Sequence, residues 1–416
     1  MSQFPPNAVA APAGPPADPI MSLPWSDPYP GYARLRAETP IFYSESWRGF
    51  YLTRYRDILA VLRDPRVSSQ RVDRLLNGLS AAEREGVKSG LRNLRSWILM
   101  LDPPEHTRLR QLITKAFTAR HIETMRPRIQ KLVDELLTQM EPSGRMDVIA
   151  DFANLVPIRV IGDMLGTRPE DSVRLKRWSD GIAEFIGGRR LTTTVTHFIE
   201  SMSELDAYFR SCIAARRKDP GSDLLSLLLT AEEQGKILDE HEIIATCTML
   251  LFGGHETTTN LIGNAVHALL QHPSALAEFR STSAVQGPAV EEFLRYDSPV
   301  QLVGRLAMED LEVSGTQIKK GEMIYLSLGA ANRDPEQFPE PDRLDFHRAE
   351  NRHLAFGYSI HFCVGAALAR LEGQLALEGL FRHFPQIERV QKDAQWSNNL
   401  VLRGQSALPI VMRRSE

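Results

Sequence analysis

Apolar residues change their spacing along this chain. From Tyr55 to Phe381 they recur mostly at intervals of three and four, with Pro and Gly at the breaks, which predicts a largely helical body. Two stretches depart from that period. Pro40 to Thr53 gathers aromatic and β-branched residues around Trp47-Arg48-Gly49, and Leu311 to Leu326 carries turn signals at Ser314-Gly315 and Lys319-Lys320-Gly321; each predicts a hairpin. Asn398 to Met412 alternates around Gly404 and predicts strands added to the same small sheet. Residues 1–25 are rich in Pro and Ala and predict a flexible tail, which leaves 26–416 as a single domain, mainly α with small β-sheets.

The longest periodic segment opens on Asp239-x-x-Glu242, runs through Ile243, Cys247, Leu250, Leu251, Leu261 and Ile262, and stops at Pro273. It predicts a helix of about thirty residues, roughly 45 to 50 Å long, enough to cross the domain. Its middle is poor helix material: Gly253-Gly254-His255-Glu256-Thr257-Thr258-Thr259. Two mid-helix glycines cost roughly 2 kcal/mol relative to alanine. A close helix–helix crossing would explain the small residues, but a charged Glu256 suits it poorly. Alternatively, backbone and a ligand meet here, with a hydroxyl from Thr257 and a carboxylate from Glu256 for proton delivery.

Composition narrows the chemistry only a little. Hydrophobic residues make up 43%, charged residues 24%, and the formal net charge is -3, so no charge-driven nucleic-acid or membrane partner is implied. Met1 to Ala33 contain no Lys or Arg and no long apolar run, so neither a signal peptide nor a membrane anchor is expected there. The three cysteines, Cys212, Cys247 and Cys363, form no C-x-x-C pair, which fits free thiols in a reducing cytoplasm.

One of these thiols has unusual neighbours. Phe356-Gly357-Tyr358-Ser359-Ile360-His361-Phe362-Cys363-Val364-Gly365 leads into strong helix formers from Ala366, so the sulfur is predicted at the mouth of a helix. Partial positive charge and free N–H groups there favour a thiolate, the form that binds iron. The glycines let backbone approach a flat cofactor. This segment resembles the haem-binding signature of the cytochrome P-450 family, F-G-x-G-x-H-x-C-x-G, with Ser359 in place of the second glycine; if that position takes φ > 0, serine is strained there. The central Gly253–Thr257 stretch is similar to the same family's [A/G]-G-x-[D/E]-T motif.

The resemblance implies a triangular, mostly helical fold, with haem b (iron protoporphyrin IX) between the central helix and the helix after Cys363. It implies Cys363 as the iron ligand, Thr257 and Glu256 as the proton-delivering pair, and Gly254, Phe356 and Gly365 against the cofactor. Cations for the haem propionates are expected from His106 and Arg110, one turn apart on a helix capped at Asp102, from Arg305, and from His361. Glu292-x-x-Arg295, with Arg343 as third partner, would form a buried structural network.

The implied activity is that of a bacterial-type haem-thiolate monooxygenase, inserting one oxygen atom, by hydroxylation, into a fairly hydrophobic small molecule. Electrons are expected from a separate ferredoxin or flavodoxin with its NAD(P)H-dependent reductase, and the protein is expected to be a monomer. Two other readings stand beside it: a haem-thiolate gas- or ligand-binding module, and a P-450-type enzyme without net oxygenation. The Glu256–Thr257 pair argues against both. Substrate contacts are expected from 71–100, 181–197, 300–303 and 399–402; Arg189-Arg190 reads first as an exposed loop pair, with a substrate carboxylate as the alternative.

Overall fold

The computed structural model describes residues 18–187, 192–233, 238–391 and 393–413. The architecture is built around one helix, Glu240–Gln271, whose side chains are buried on nearly every side. Asp239 accepts from the Glu242 N–H at 2.8 Å while the Glu242 carboxylate accepts from the Asp239 N–H, a capping box that starts the helix where the sequence predicts. Pro273 begins the next helix and ends this one. The weak centre does not break: Gly253 to Thr259 stay helical, and the Thr257 hydroxyl donates to the Gly253 carbonyl at 2.7 Å. Helices Leu155–Met164 and Ser172–Gly187 pack against it, as does Ala366–His383, whose Gly373 lets Leu261 approach.

The first predicted hairpin is present, Ile41–Ser44 pairing antiparallel with Gly49–Leu52. Gly49–Leu52 then runs parallel to Met323–Ser327, which pairs with Leu302–Ala307, and Val67–Ser68 closes the five-stranded sheet. The second predicted hairpin is shorter than expected. Leu311–Val313 returns as Thr316–Ile318 across Ser314-Gly315, and the turn at Gly321 sends the chain into the five-stranded sheet instead. The C-terminal strands also join elsewhere: Pro409–Arg413 lies between Arg145–Asp147 and Gln386–Arg389.

The tail prediction needs shortening. Residues 1–17 lie outside the described residues, but Asp18 to Trp25 dock on the sheet side of the molecule. Ile20 is buried, Asp18 accepts from the Ser44 hydroxyl at 2.6 Å, and Arg403 donates to the Trp25 carbonyl at 2.7 Å.

The Glu292–Arg295 pair is fully buried and bidentate, at 2.8 and 2.7 Å. Arg343 is not its third partner. The Arg343 side chain is exposed beside Glu340, and only its backbone carbonyl accepts from Arg295. Arg348 supplies the second guanidinium, 3.4 Å from Glu292, and Asn351 and the Asp345 N–H complete the carboxylate's shell. A buried ion pair survives desolvation only when its remaining hydrogen-bonding sites are filled, as they are here. Arg348→Ala is therefore expected to cost about 2 kcal/mol and Arg343→Ala less than about 0.5 kcal/mol in thermal unfolding of the holoprotein; equal costs would restore Arg343 to the network.

Leading into Ala366–His383, the cysteine loop is held by the Cys363 N–H donating to the Phe356 carbonyl at 2.9 Å and the Gly357 N–H to the Leu354 carbonyl at 2.8 Å. Gly357 has φ 71°, and Ser359 has φ 60°, the left-handed region the missing glycine would occupy freely. Ser359→Gly should raise holoprotein stability by about 0.5–1 kcal/mol, read as the unfolding midpoint; an unchanged or lowered midpoint would show that the serine is not strained.

Candidate active site

Cys363 sits two residues before Gly365, which precedes the first turn of Ala366–His383. Burial pushes its thiol up, while the Gly365 N–H and the charges of Arg110 and Arg370 pull it down. The helix-mouth placement predicted from the sequence is thus present, but burial outweighs it for the free thiol. Arg370 lies over the Phe356 ring at 4.7 Å and pairs with Glu291 at 2.6 Å, so one guanidinium ties the cysteine helix to the Glu292 helix.

His106, Arg110, Arg305 and His361 come together from a helix, a strand and the cysteine loop. The His106 and His361 ring centres are 4.5 Å apart, and the Ser69 hydroxyl lies 2.9 Å from His361 Nε2. Burial, then the charges of Arg305, His106, Arg71 and Arg110, drives the His361 imidazole down to about 3; burial and Arg110 also lower His106. Burial and the neighbouring arginines thus favour the neutral imidazoles, and the arginines carry the positive charge. Asp102 does not cap the helix as expected: Pro104 holds that position, and Asp102 accepts from the Ser68 hydroxyl and the Ser69 N–H instead.

Arg71 joins this group, with its side chain laid across Gly304, where a Cβ would come within 3.0 Å of its Cδ. Nothing in its loop sequence marks it out; only folding brings it there. Among the described residues none of Arg71, Arg110 and Arg305 forms an ion pair, and Asp102 is the carboxylate that acts on Arg71 and Arg305. Three guanidiniums facing one carboxylate leave an excess of two positive charges. A dianionic haem would balance that excess, and both ring nitrogens of the buried His106 lack a well-formed hydrogen bond. The residues present fit the expected cofactor.

On the central helix, a side chain at Gly253 would meet open space, whereas one at Gly254 would press on Ile161 at 3.1 Å. Gly253 thus borders open space beside the expected Gly254. Glu256 turns away from Thr257, toward Ser172–Gly187. Burial, with the charge and hydrogen bond of Asp180, raises its carboxyl well above the usual range and favours the protonated form. His255 is fully buried with Nδ1 3.2 Å from the Ser179 hydroxyl and 3.5 Å from Glu256 Oε1.

Three of the four expected substrate segments are stitched together. Val300 bridges Leu402, the Gln301 N–H donates to the Val401 carbonyl, the Leu400 N–H donates to the Gly187 carbonyl, and Asn399 Nδ2 donates to the Ala183 carbonyl. Arg189 and Arg190 lie outside the described residues. Beside the cysteine loop, His106, Arg110, Lys115, Ser359 and Ile360 line an open hollow of about 510 Å³. Among the described residues no helix is long and apolar enough to cross a membrane.

Comparison with known proteins agrees with this geometry. The model of the family described as Cytochrome P-450 matches residues 72–282 and 288–407. The chain is 36% identical over 397 residues to the polyketide biosynthesis cytochrome P-450 PksS of Bacillus subtilis, covering 93% of this chain and 96% of that protein. It is 38% identical over 398 residues to the cytochrome P-450 monooxygenase PikC of Streptomyces venezuelae, covering 94% and 92%. The crystal structure of P-450 BioI in complex with a hexadec-9Z-enoic acid-ligated acyl carrier protein superposes with a TM-score of 0.87 at 36% identity, covering 93% of this chain and 99% of that one. The chain thus belongs to the cytochrome P-450 family, whose members hold protoporphyrin IX haem b through a cysteine thiolate and act as monooxygenases.

Proposed function

We propose that this chain is a haem-thiolate monooxygenase that hydroxylates a fairly hydrophobic small molecule, and that Cys363 would hold the haem iron through its thiolate. The observation that carries this reading is the cluster of Arg71, Arg110, Arg305, His106 and His361 beside the cysteine loop, with two positive charges in excess and no ion pair among the described residues. Arg110 and Arg305 would hold the haem propionates by charge, and His106 and His361 by N–H donation. When bound, the haem supplies reductive activation of dioxygen, with one atom inserted into substrate and the other released as water.

The chain's own part is to position groups and move protons. Thr257 keeps its hydroxyl on the central helix by donating to the Gly253 carbonyl, at the face where Gly253 leaves room. Glu256, held protonated by its surroundings, is the nearby acid. The stitched segments at 183–187, 300–302 and 399–402 make the substrate wall. Electrons come from a separate ferredoxin or flavodoxin with its NAD(P)H-dependent reductase. The hollow with Arg110 and Lys115, and the exposed Ile360 and Phe362 beside it, support docking of a small acidic protein there.

With such a reductase system, a converted small molecule and oxygen-18 gas, one labelled atom should appear per product. Thr257→Ala should keep its haem yet lower product formed per NADPH consumed by about 10- to 100-fold, and Thr257→Ser should recover most of it. Unlabelled product, or unchanged coupling in Thr257→Ala, would overturn the assignment.

A further inference from the structure

On the side of the central helix that faces Ser172–Gly187, an imidazole and two carboxylates converge. Asp180, His255 and Glu256 each offer one ligand atom, and these atoms lie within 4.8 Å of one another. Asp180 acts on the Glu256 carboxyl by charge and by a hydrogen bond, and Lys176 pairs with Asp180 at 2.7 Å from Oδ2. His255 is completely enclosed; its Nδ1, 3.2 Å from the Ser179 hydroxyl, is aimed into the group at 3.5 Å from Glu256 Oε1, and its Nε2 has no partner. A buried imidazole nitrogen without a partner is costly, and so is a second carboxyl beside Asp180, which stays protonated there. Neither feature is needed to hold the two helices together, since apolar side chains already pack between them.

We propose that Asp180, His255 and Glu256 form a binding site for a zinc-class divalent cation. Imidazole nitrogen and carboxylate oxygen are both zinc donors, and three protein donors leave a fourth position for water. Zinc–ligand distances near 2.1 Å place tetrahedral donors roughly 3.4 Å apart, so small side-chain rotations close the group around an ion. The absence of a thiolate disfavours copper(I), and three protein donors including an imidazole disfavour calcium. The ion would replace Lys176 as the countercharge of Asp180 and would occupy the carboxylate of Glu256. Metal binding therefore arrests proton delivery, a consequence that rests on the reading of Glu256 given above; the binding itself does not.

The test is calorimetric titration of zinc chloride into untagged holoprotein at neutral pH. One ion per chain should bind at this site. Asp180→Asn should weaken it by about tenfold or more, and Lys176→Met should tighten it, because the competing cation is gone. His255 is fully enclosed and its variants risk misfolding, so the two half-buried helical positions with opposite expected signs decide. Zinc binding that Asp180→Asn leaves intact, or affinity that Lys176→Met fails to raise, overturns the site. Binding with the expected signs but no loss of coupled turnover upholds the site and overturns the proton-delivery role of Glu256.

Discussion

Three guanidiniums at the edge of an apolar interior, with a single carboxylate among them, constrain the rest of this molecule. Arg71, Arg110 and Arg305 arrive from a loop, a helix and a strand, so the five-stranded sheet, the Glu105–Thr114 helix and the cysteine loop must all be in place before the cluster exists. Left alone, such an excess of partly buried charge is unfavourable. A flat dianion bound there would relieve it, beside the loop that carries Cys363. Neutral imidazoles at His106 and His361 add directed N–H groups without adding to the repulsion.

The second constraint is the central helix. Its capping box and its buried flanks let it tolerate glycines and threonines that would weaken an isolated helix. Local stability given up at Gly253 leaves space on one face, and the Thr257 hydroxyl fills the hydrogen-bonding need of the Gly253 carbonyl. Glu256 points the other way, into Asp180, His255 and Lys176. One turn of helix thus faces both an open site and a polar cluster, linking chemistry to the packing of the Ser172–Gly187 helix.

What was legible in the sequence was mostly what lies in consecutive residues. The cysteine loop, the capping box at Asp239 and the glycine–threonine stretch each state their chemistry within ten positions, and Ser359 could be flagged because it stands where a left-handed residue belongs. Contacts between distant segments were not legible. Arg348 and Arg343 lie five residues apart in the same loop, and only the folded chain shows which one reaches Glu292. Arg71 and Asp180 carry no local signal at all, since their partners lie far away in sequence. The C-terminal strands were recognisable as strands, but the choice of sheet depends on where Arg145–Asp147 leaves an edge to pair.

Everything in this account turns on a thiolate at Cys363. The most direct measurement is the absorption spectrum of the reduced, carbon monoxide-bound holoprotein, taken beside that of Cys363→Ala. A strongly red-shifted Soret band in the wild type that disappears in the variant is the predicted result. A histidine-like band in the wild type, or an identical spectrum in the two proteins, would contradict it.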